Sequence, residues 1–520
     1  MYDILIRGGT VMDGSGAPGF RADVAVLDGK IAAVGDLAGE SARLVLDAEG
    51  LAVAPGFIDA HSHSDTSFLI DSGGASKLYQ GITTEISGNC GDSPFPYAGG
   101  GGDIRHSSSF EDFLRAFSAG GYSMAVNQAL LVGHGTLRSQ VIGDEDRPAG
   151  PEDIARMQAL LRREMESGAW GLSLGLEYAP GCFAGQEELN ALGRVAGEYG
   201  GVVSCHMRSE GLKIDSALNE LIEVGRSSGV RVNVSHLKID NYRVHGRAPE
   251  VWDIVKKARS EGVRLSADMY PYTASCTSLS IRCPRWSLDG GNEALLSHLR
   301  GARRQEVVEG IRAHYFSAER AETCLISDDA GLWPEIVGRT LRSVAEDVLG
   351  ICDYAEAAAR VLERTKAGAK CIFFVMSEED MLYFLKQDTG IGSDGYALPG
   401  DESRLGMRPH PRSYGAVAQF FALAREKGIC SPEEAVRRVT SKPARLFGLF
   451  DRGLIHTGFK ADITVFDPAL IASRATYLQP VRLAQGVKHV VVNGEAALTD
   501  GQQTDARNGK FLRKPRREGA

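Results

Sequence analysis

Two histidines separated by a single residue stand near the start of the chain, in residues 56–65 (GFIDAHSHSD). The apolar residues before them predict a buried strand that ends at the pair. Because side chains alternate between the two faces of a strand, His61 and His63 are expected to point the same way. Two imidazoles that project together from a strand end are well placed to bind one metal ion. A surface histidine pair is the alternative, so the interpretation depends on further ligands.

Further metal-binding side chains recur where later strands are expected to end. They are Cys90, His206, His236 and Asp394. A barrel of parallel strands brings the carboxyl ends of all its strands to one face, so these residues are expected to converge there with the histidine pair. Together they form a mixed nitrogen, sulfur and oxygen set suited to zinc. Each residue alone could instead be a buried thiol, a hydrogen-bonded histidine or a turn aspartate.

The elements that must position these residues follow an α/β pattern. From about residue 57 to 440, short apolar runs alternate with amphipathic stretches, which predicts a (β/α)8 TIM-like barrel over residues 56–449. The predicted strands cover residues 57–60, 83–87, 125–132, 171–174, 202–206, 232–236, 264–270, 372–375 and 390–392.

Three segments lie outside the barrel pattern. Residues 1–55 and 450–507 have β character, with a hairpin turn at Asp28-Gly29, and are expected to form one small β-sandwich domain. Residues 280 to about 370 are too long for one connection, which predicts an inserted lid subdomain over the mouth of the barrel. The basic tail, 508–520, is expected to be disordered.

The composition excludes several classes of protein. The 520 residues are 43% hydrophobic and 24% charged, as in ordinary globular proteins. A formal net charge of -9 argues against binding to nucleic acid or an anionic membrane surface. No apolar run approaches the roughly 18–20 residues of a membrane span. The nine cysteines contain no CxxC pair, and no secretory signal is visible, so a reducing, cytoplasmic location is expected.

Several longer motifs follow one another in a fixed order. They are GFIDAHSHSD, SGNCG, VGHGTLR, GLEYAPG, CHMRSEG, SHLK, ADMYPYTA, GSDG and PHPRSYG. With this set of motifs, the chain resembles the N-acyl-D-amino-acid deacylases (D-aminoacylases) of the amidohydrolase superfamily. HxH and SDG are typical of the whole superfamily, whereas SGNCG and PHPRSYG are more specific. The resemblance extends over nearly the whole chain and implies a zinc enzyme.

The resemblance also implies roles for the metal ligands. Cys90 in SGNCG is similar to a thiolate ligand that forms the tighter zinc site with His206 and His236. The His61 and His63 pair resembles the ligands of a second, weaker metal position. Asp394 resembles the aspartate that contacts the metal and transfers the proton. Many superfamily members bridge two metals with a carboxylated lysine, which this sequence does not have at the matching strand end.

Further residues are assigned by the same resemblance. Tyr178 in EYAPG is similar to a tyrosine that stabilises the oxyanion. Lys238 and Tyr270 resemble groups that hold the substrate α-carboxylate, and Arg412 is a further candidate for the carboxylate or the side chain. Glu177 is left open: it either contributes to the metal site or is a salt-bridged loop carboxylate.

The expected reaction is hydrolysis of the amide bond in a small N-acyl-D-amino acid. Zinc lowers the pKa of a bound water towards roughly 7 and so supplies a nucleophile. A cyclic amidase resembling hydantoinase or dihydroorotase, a D-dipeptidase and an inactive scaffold protein are the alternatives. The preferred side chain and acyl group, the number of working metals and the oligomeric state stay open.

Overall fold

The computed structural model describes residues 1–100 and 102–515. Both ends of the chain contribute to one nine-stranded sheet, as the sequence predicted. The N-terminal strand Ala52–Pro55 pairs antiparallel with Ile463–Phe466 and so joins the two halves. The strands of this sheet are Tyr2–Val11, Phe20–Leu27, Lys30–Gly35, Ala42–Asp47, Ala52–Pro55, Ile463–Phe466, Val487–Val492, Glu495–Thr499 and Gln502–Gln503.

The β domain has a hydrophobic core of its own, which contains Ile6, Val24 and Val465. The predicted hairpin turn is present, since Asp28 and Gly29 have φ values of 52° and 73°. Positive φ at both positions matches the twist of the flanking strands.

The barrel contains the predicted parallel strands. They are Phe57–Asp59, Ile82–Ser87, Asn127–Leu130 continued by Val132–Gly133, Gly171–Gly175, Val202–His206, Arg231–Val234, Leu265–Met269 and Gly390–Ile391. Two sheets share these strands. Backbone hydrogen bonds link the two sheets, among them Trp170 N to Leu130 O (2.9 Å) on one side and Ala60 N to Ile391 O (3.2 Å) on the other. The result is the eight-stranded TIM-like arrangement expected from the sequence.

Amphipathic helices cover the outside of the barrel. Ile214–Ser228 is an example: it buries Leu218, Leu221 and Ile222 on one face and ends at Gly229, whose φ of 64° suits a helix C-terminus. None of the helices in residues 1–100 and 102–515 has the length and apolarity needed to cross a membrane. The barrel helices are Ala75–Leu78, Phe110–Ala119, His134–Val141, Pro151–Glu166, Gln186–Glu198, Ile214–Ser228, Ala248–Ser260, Glu378–Leu385, Arg412–Glu426, Pro432–Arg438 and Ser441–Phe447.

The inserted subdomain is built on a three-stranded antiparallel sheet of Ser275–Ser278, Lys370–Phe373 and Cys324–Asp328. Its helices pack a separate core around this sheet. They are Gly291–Arg300, Arg304–Arg312, Ala318–Glu322, Leu341–Ser343, followed by a π-helical turn at Val344–Val348, and Tyr354–Arg364. Thr277, Ser327 and Lys370 from this subdomain line the cavity at the barrel mouth.

One predicted barrel strand was wrong. The apolar run at 372–375 belongs to the strand Lys370–Phe373, which pairs antiparallel with two subdomain strands. Barrel strands and the central strand of a small buried sheet have the same continuous apolar pattern, so periodicity alone did not separate them.

The C-terminal segment also differs from the prediction. Phe511–Leu512 pairs in parallel with the barrel strand Asn127–Leu130, and Trp170 Nε1 donates a 2.7 Å hydrogen bond to Leu512 O. The Phe511 ring packs 4.9 Å from the Phe113 ring, centroid to centroid. Aromatic packing therefore orders residues 508–515 despite their basic composition. Residues 516–520 of the predicted tail lie outside the described residues.

Candidate metal centre and active site

The residues predicted to bind metal lie together at the carboxyl-terminal ends of the barrel strands. His61 and His63 follow the first strand, Cys90 the second and Asp394 the last. His206 ends the fifth strand, and His236 follows the sixth. These side chains are buried or partly buried, so the barrel brings all six predicted positions into one region.

Cys90, His206 and His236 converge on one position. Cys90 Sγ lies 3.4 Å from His236 Nε2 and 3.9 Å from His206 Nδ1, and the two imidazole nitrogens are 3.0 Å apart. Ligand atoms at zinc bond lengths of about 2.0–2.3 Å are separated by roughly 3.3–3.7 Å in a tetrahedron. The three measured separations bracket this range, so the donor atoms fit a zinc ion.

A second group shares the same thiol. His61 Nε2 lies 3.4 Å from Cys90 Sγ and 3.6 Å from Asp394 Oδ1. Ligand atoms of His61, Cys90, His236 and Asp394 all lie within 4.8 Å of one another. His63 stands further out, with its Nε2 3.0 Å from Asp394 Oδ1 and its side chain 25% exposed. Cys90 is thus placed between two possible metal positions.

Protonation of the imidazoles also fits metal binding. Burial lowers the pKa of His61 well below its usual value, and burial together with the Lys238 ammonium lowers the pKa of His236 to about 4. Both rings are therefore neutral at pH 7, as metal ligation requires. Burial raises the pKa of the Cys90 thiol, an effect that a bound divalent cation reverses.

The backbone at the strand ends is unusual. Cys90, His236 and Asp394 have φ values of 54°, 37° and 50°, a region that non-glycine residues seldom adopt. A Cβ at Gly175 would lie 1.9 Å from Cys90 O, so only glycine allows the Cys90 loop to approach this strand. Such conformations concentrate at functional sites, where they aim side chains inward.

Glu210 was missed by the sequence analysis. Its Oε1 lies 3.0 Å from His236 Nδ1, and its Oε2 lies 2.5 Å from Lys238 Nζ. A proton on His236 Nδ1 directed at this carboxylate leaves the Nε2 lone pair facing Cys90. The position of Glu210 four residues after His206, within CHMRSEG, was the available signal.

Asp268 was also missed. It is buried at the end of a barrel strand, and its Oδ1 accepts a 2.8 Å hydrogen bond from the His236 backbone N. Burial raises its pKa to about 7. The available signal was a carboxylate near the end of the predicted strand 264–270. Asp268 thereby fixes the strained turn that presents His236.

Glu177 lies outside the group of ligand atoms. Its Oε2 is 2.9 Å from His206 Nε2, on the opposite side of the ring from Cys90. Burial lowers the pKa of His206, but Glu210 and Glu177 raise it overall. Glu177 is therefore positioned to orient His206 with its Nδ1 towards the centre.

Tyr178 lines the cavity beside His206. Its hydroxyl oxygen lies 3.4 Å from His206 Nδ1 and accepts a 3.0 Å hydrogen bond from Thr277 Oγ1. Because the Thr277 hydroxyl donates to the phenolic oxygen of Tyr178, the phenolic hydrogen of Tyr178 is available to another group. Burial raises the pKa of Tyr178 well above its usual value, so this hydrogen is retained at pH 7.

The three predicted substrate-binding residues are placed differently from one another. Arg412 lines the cavity, and its Nη1 lies 2.7 Å from Asp394 Oδ2. Burial would raise the pKa of Asp394, but Arg412 and the nearby histidines hold it well below its usual range. Lys238 and Tyr270 are buried behind His236 and do not line the cavity. Lys238 Nζ lies 5.8 Å from the centroid of the Tyr270 ring, within the range of a cation–π interaction.

A buried charge cluster lies beneath the ligands. Lys77 Nζ is 2.8 Å from Asp59 Oδ2, 3.1 Å from Glu85 Oε1 and 2.9 Å from Ser393 Oγ. All three charged side chains are fully buried. Asp59 Oδ1 also accepts hydrogen bonds from the backbone N atoms of Ser393 (2.7 Å) and His61 (3.2 Å). The cluster thus joins the strands that carry His61 and Asp394.

The cavity above the centre has a volume of about 460 Å³. Barrel loops form one side, with Tyr97 and Thr136, and the inserted subdomain forms another, with Ser327 and Lys370. A cavity of this size holds a small molecule and places it against Cys90 and Asp394.

Comparison with known proteins agrees with this architecture. The model of the amidohydrolase family matches residues 44–269 and 396–497. The D-aminoacylase of Alcaligenes xylosoxydans xylosoxydans is 36% identical over 98% of this chain and 97% of its own length. The N-acyl-D-aspartate deacylase of the same organism is 35% identical, over 98% and 95%.

A solved structure is similar in both sequence and fold. The N-acyl-D-glutamate deacylase of Bordetella bronchiseptica, complexed with zinc and a phosphonate mimic of the tetrahedral intermediate, has a TM-score of 0.84 and 33% identity, covering 98% of this chain and 99% of that chain. The chain therefore belongs to the D-aminoacylase (N-acyl-D-amino-acid deacylase) family of the amidohydrolases. The resemblance seen in the motifs is confirmed.

Proposed function

We propose that this protein is a zinc-dependent hydrolase that deacylates N-acyl-D-amino acids to a carboxylate and a free D-amino acid. The convergence of Cys90, His206 and His236 on one position, with Asp394 alongside, carries the proposal. These three residues would hold the tighter zinc, and His61 with His63 would contribute to a second, weaker metal position.

Asp394 is the proposed general base and acid. Bound zinc would activate water and polarise the amide carbonyl. Asp394 stays ionised because Arg412 and the histidines lower its pKa, so it can accept a proton from the attacking water. The same carboxyl group would then deliver that proton to the leaving amine.

Tyr178 is the proposed oxyanion donor. Thr277 donates to its oxygen, so its phenolic hydrogen can point to the centre, where His206 Nδ1 lies 3.4 Å away, and its raised pKa keeps the hydrogen in place. A neutral donor that lines the same cavity as Asp394 would stabilise the negative charge of the tetrahedral intermediate. Glu177 would support this arrangement by orienting His206.

The substrate class is supported by the family and by the cavity. Both full-length relatives and the solved structure described above act, by their names, on N-acyl-D-amino acids. Arg412 lines the cavity and is available to bind a carboxylate oxygen while it holds Asp394. Lys238 and Tyr270 do not line the cavity, so they would support substrate binding indirectly, through the contacts of Lys238 with His236 and of Tyr270 with Arg412. All nine cysteines are unpaired, which supports a cytoplasmic location.

A substrate screen tests the proposal. Purified protein, loaded with zinc or stripped by a chelator, is assayed on matched N-acetyl-D- and N-acetyl-L-amino acids, on a D-terminal dipeptide and on hydantoin. We expect zinc-dependent release of D-amino acids. Opening of hydantoin without hydrolysis of any linear amide would contradict the proposal, and so would equal activity on the L series.

A further inference from the structure

The cations around the active-site cavity differ in whether a carboxylate neutralises them. Arg412 Nη1 lies 2.7 Å from Asp394 Oδ2, and Lys238 Nζ lies 2.5 Å from Glu210 Oε2. Their charges are satisfied within the protein. A substrate carboxylate would have to share either cation with a residue of the catalytic centre.

Lys370 is different. It lies on the cavity wall, where the central strand of the inserted subdomain begins. Its Nζ is 3.0 Å from the Tyr396 hydroxyl oxygen, a neutral partner. Asp328 is its register partner on the neighbouring strand, yet within residues 1–100 and 102–515 no carboxylate oxygen lies within 4.0 Å of Nζ. Lys370 is partly exposed to the cavity and, in the part of the chain that the structure describes, has no carboxylate in salt-bridge contact, so its ammonium group is available to pair with an anionic ligand.

The position of Lys370 connects it to the reacting centre. Tyr396 stands two residues after Asp394, and its ring lies 6.0 Å from the His63 ring, centroid to centroid. Arg412 Nη2 donates a 3.1 Å hydrogen bond to Cys276 O, on the strand next to that of Lys370. Lys370 and Arg412 thus share the side of the cavity formed by the inserted subdomain. The hydrogen bond to the Tyr396 hydroxyl and the nearby Asp328 carboxylate raise the pKa of Lys370, so it is cationic at pH 7.

We propose that Lys370, held by Tyr396, binds a carboxylate group of the substrate. This inference rests on the proposed function, since an N-acyl-D-amino acid always carries a free α-carboxylate and an acidic one carries a second on its side chain. Either source has the same chemistry: a carboxylate oxygen accepting a charge-assisted hydrogen bond from the ammonium group.

Kinetics on matched substrates test the inference. Lys370→Met is compared with the conservative Lys370→Arg and with Lys386→Met, which changes an exposed lysine in the same way. Substrates are N-acetyl-D-leucine, N-acetyl-D-glutamate and the primary carboxamide of each at the α position. We expect Lys370→Met to lower kcat/KM by about 10- to 100-fold on carboxylate substrates, mainly through KM. Lys370→Arg should restore much of the loss, and Lys386→Met should match the wild type.

The substrates distinguish the two carboxylates. If Lys370→Met lowers kcat/KM equally on both acids and leaves kcat/KM on N-acetyl-D-leucine carboxamide at the wild-type value, the ligand of Lys370 is the α-carboxylate. A loss confined to N-acetyl-D-glutamate and its α-carboxamide indicates the side-chain carboxylate. The inference is overturned if Lys370→Met has wild-type kcat/KM on every acid. It is also overturned if kcat/KM on N-acetyl-D-leucine carboxamide, which has no carboxylate, falls as much as kcat/KM on the acids.

Calorimetric binding separates this inference from the proposed function. Weaker binding of the acids by Lys370→Met than by the wild type supports the inference even if the wild type hydrolyses none of them, a result that would overturn only the proposed function. Equal binding by both proteins, or no binding by either, overturns the inference whatever the turnover.

Discussion

Replacing Glu210 by glutamine should weaken metal binding while Cys90, His206 and His236 all stay in place. Glu210 contacts His236 Nδ1 at 3.0 Å and Lys238 Nζ at 2.5 Å. Glutamine can still accept from His236, but it carries no charge to favour the Nδ1 proton or to neutralise Lys238. Loss of a carboxylate behind a metal-binding histidine typically lowers metal affinity about 10- to 100-fold. An uncompensated Lys238 lowers the free energy of unfolding by about 3–5 kcal/mol.

Two assays separate these effects. Competition with a chelator gives the zinc dissociation constant of Glu210→Gln and of Glu495→Gln, an exposed control with the same chemical change. Denaturant unfolding of the metal-free proteins gives the change in stability. We expect Glu210→Gln to bind zinc more weakly than the wild type and to have a lower free energy of unfolding. The control, Glu495→Gln, should match the wild type in both assays. Wild-type zinc affinity in Glu210→Gln would refute the role assigned to this carboxylate.

Further predictions concern the reacting groups and their support. Asp394→Asn should lower kcat by about 10²- to 10⁴-fold, and Tyr178→Phe should lower it by about 10²- to 10³-fold, both with zinc still bound by elemental analysis. Lys77→Met should lower the free energy of unfolding by about 3–5 kcal/mol in denaturant titrations, because two buried carboxylates lose their cation. The double replacement of His61 and His63 by asparagine should keep one zinc per chain. Activity retained by Asp394→Asn, unchanged stability of Lys77→Met or loss of all zinc from the histidine variant would each contradict the corresponding role.

The sequence predicted the parts of this molecule that have a strong local pattern. His61, His63, Cys90, His206 and Asp394 lie at or just after the ends of predicted strands, so barrel topology alone predicted that they meet. The family motifs assigned a role to each of these residues, which their spacing alone does not do.

The parts that the sequence did not predict depend on contacts between distant residues. Glu210 and Lys238 form a pair through the fold of two separate loops, and Lys370 reaches the cavity only through the inserted subdomain. The run at 372–375 looked like a barrel strand because a buried antiparallel strand has the same apolar composition. Phe511 orders the basic C-terminal segment by packing on Phe113, a contact that composition does not reveal.

The most direct test of the central claim is a cobalt(II) titration of the metal-free protein, with absorbance and deacylation of an N-acetyl-D-amino acid followed together. We expect a thiolate-to-cobalt absorption band to grow with activity and to saturate near about one equivalent. Cys90→Ser should lose both signals, while Cys352→Ser, a control at an exposed thiol, should keep them. Full deacylase activity in the metal-free protein, or activity of Cys90→Ser equal to the wild type, would contradict the account.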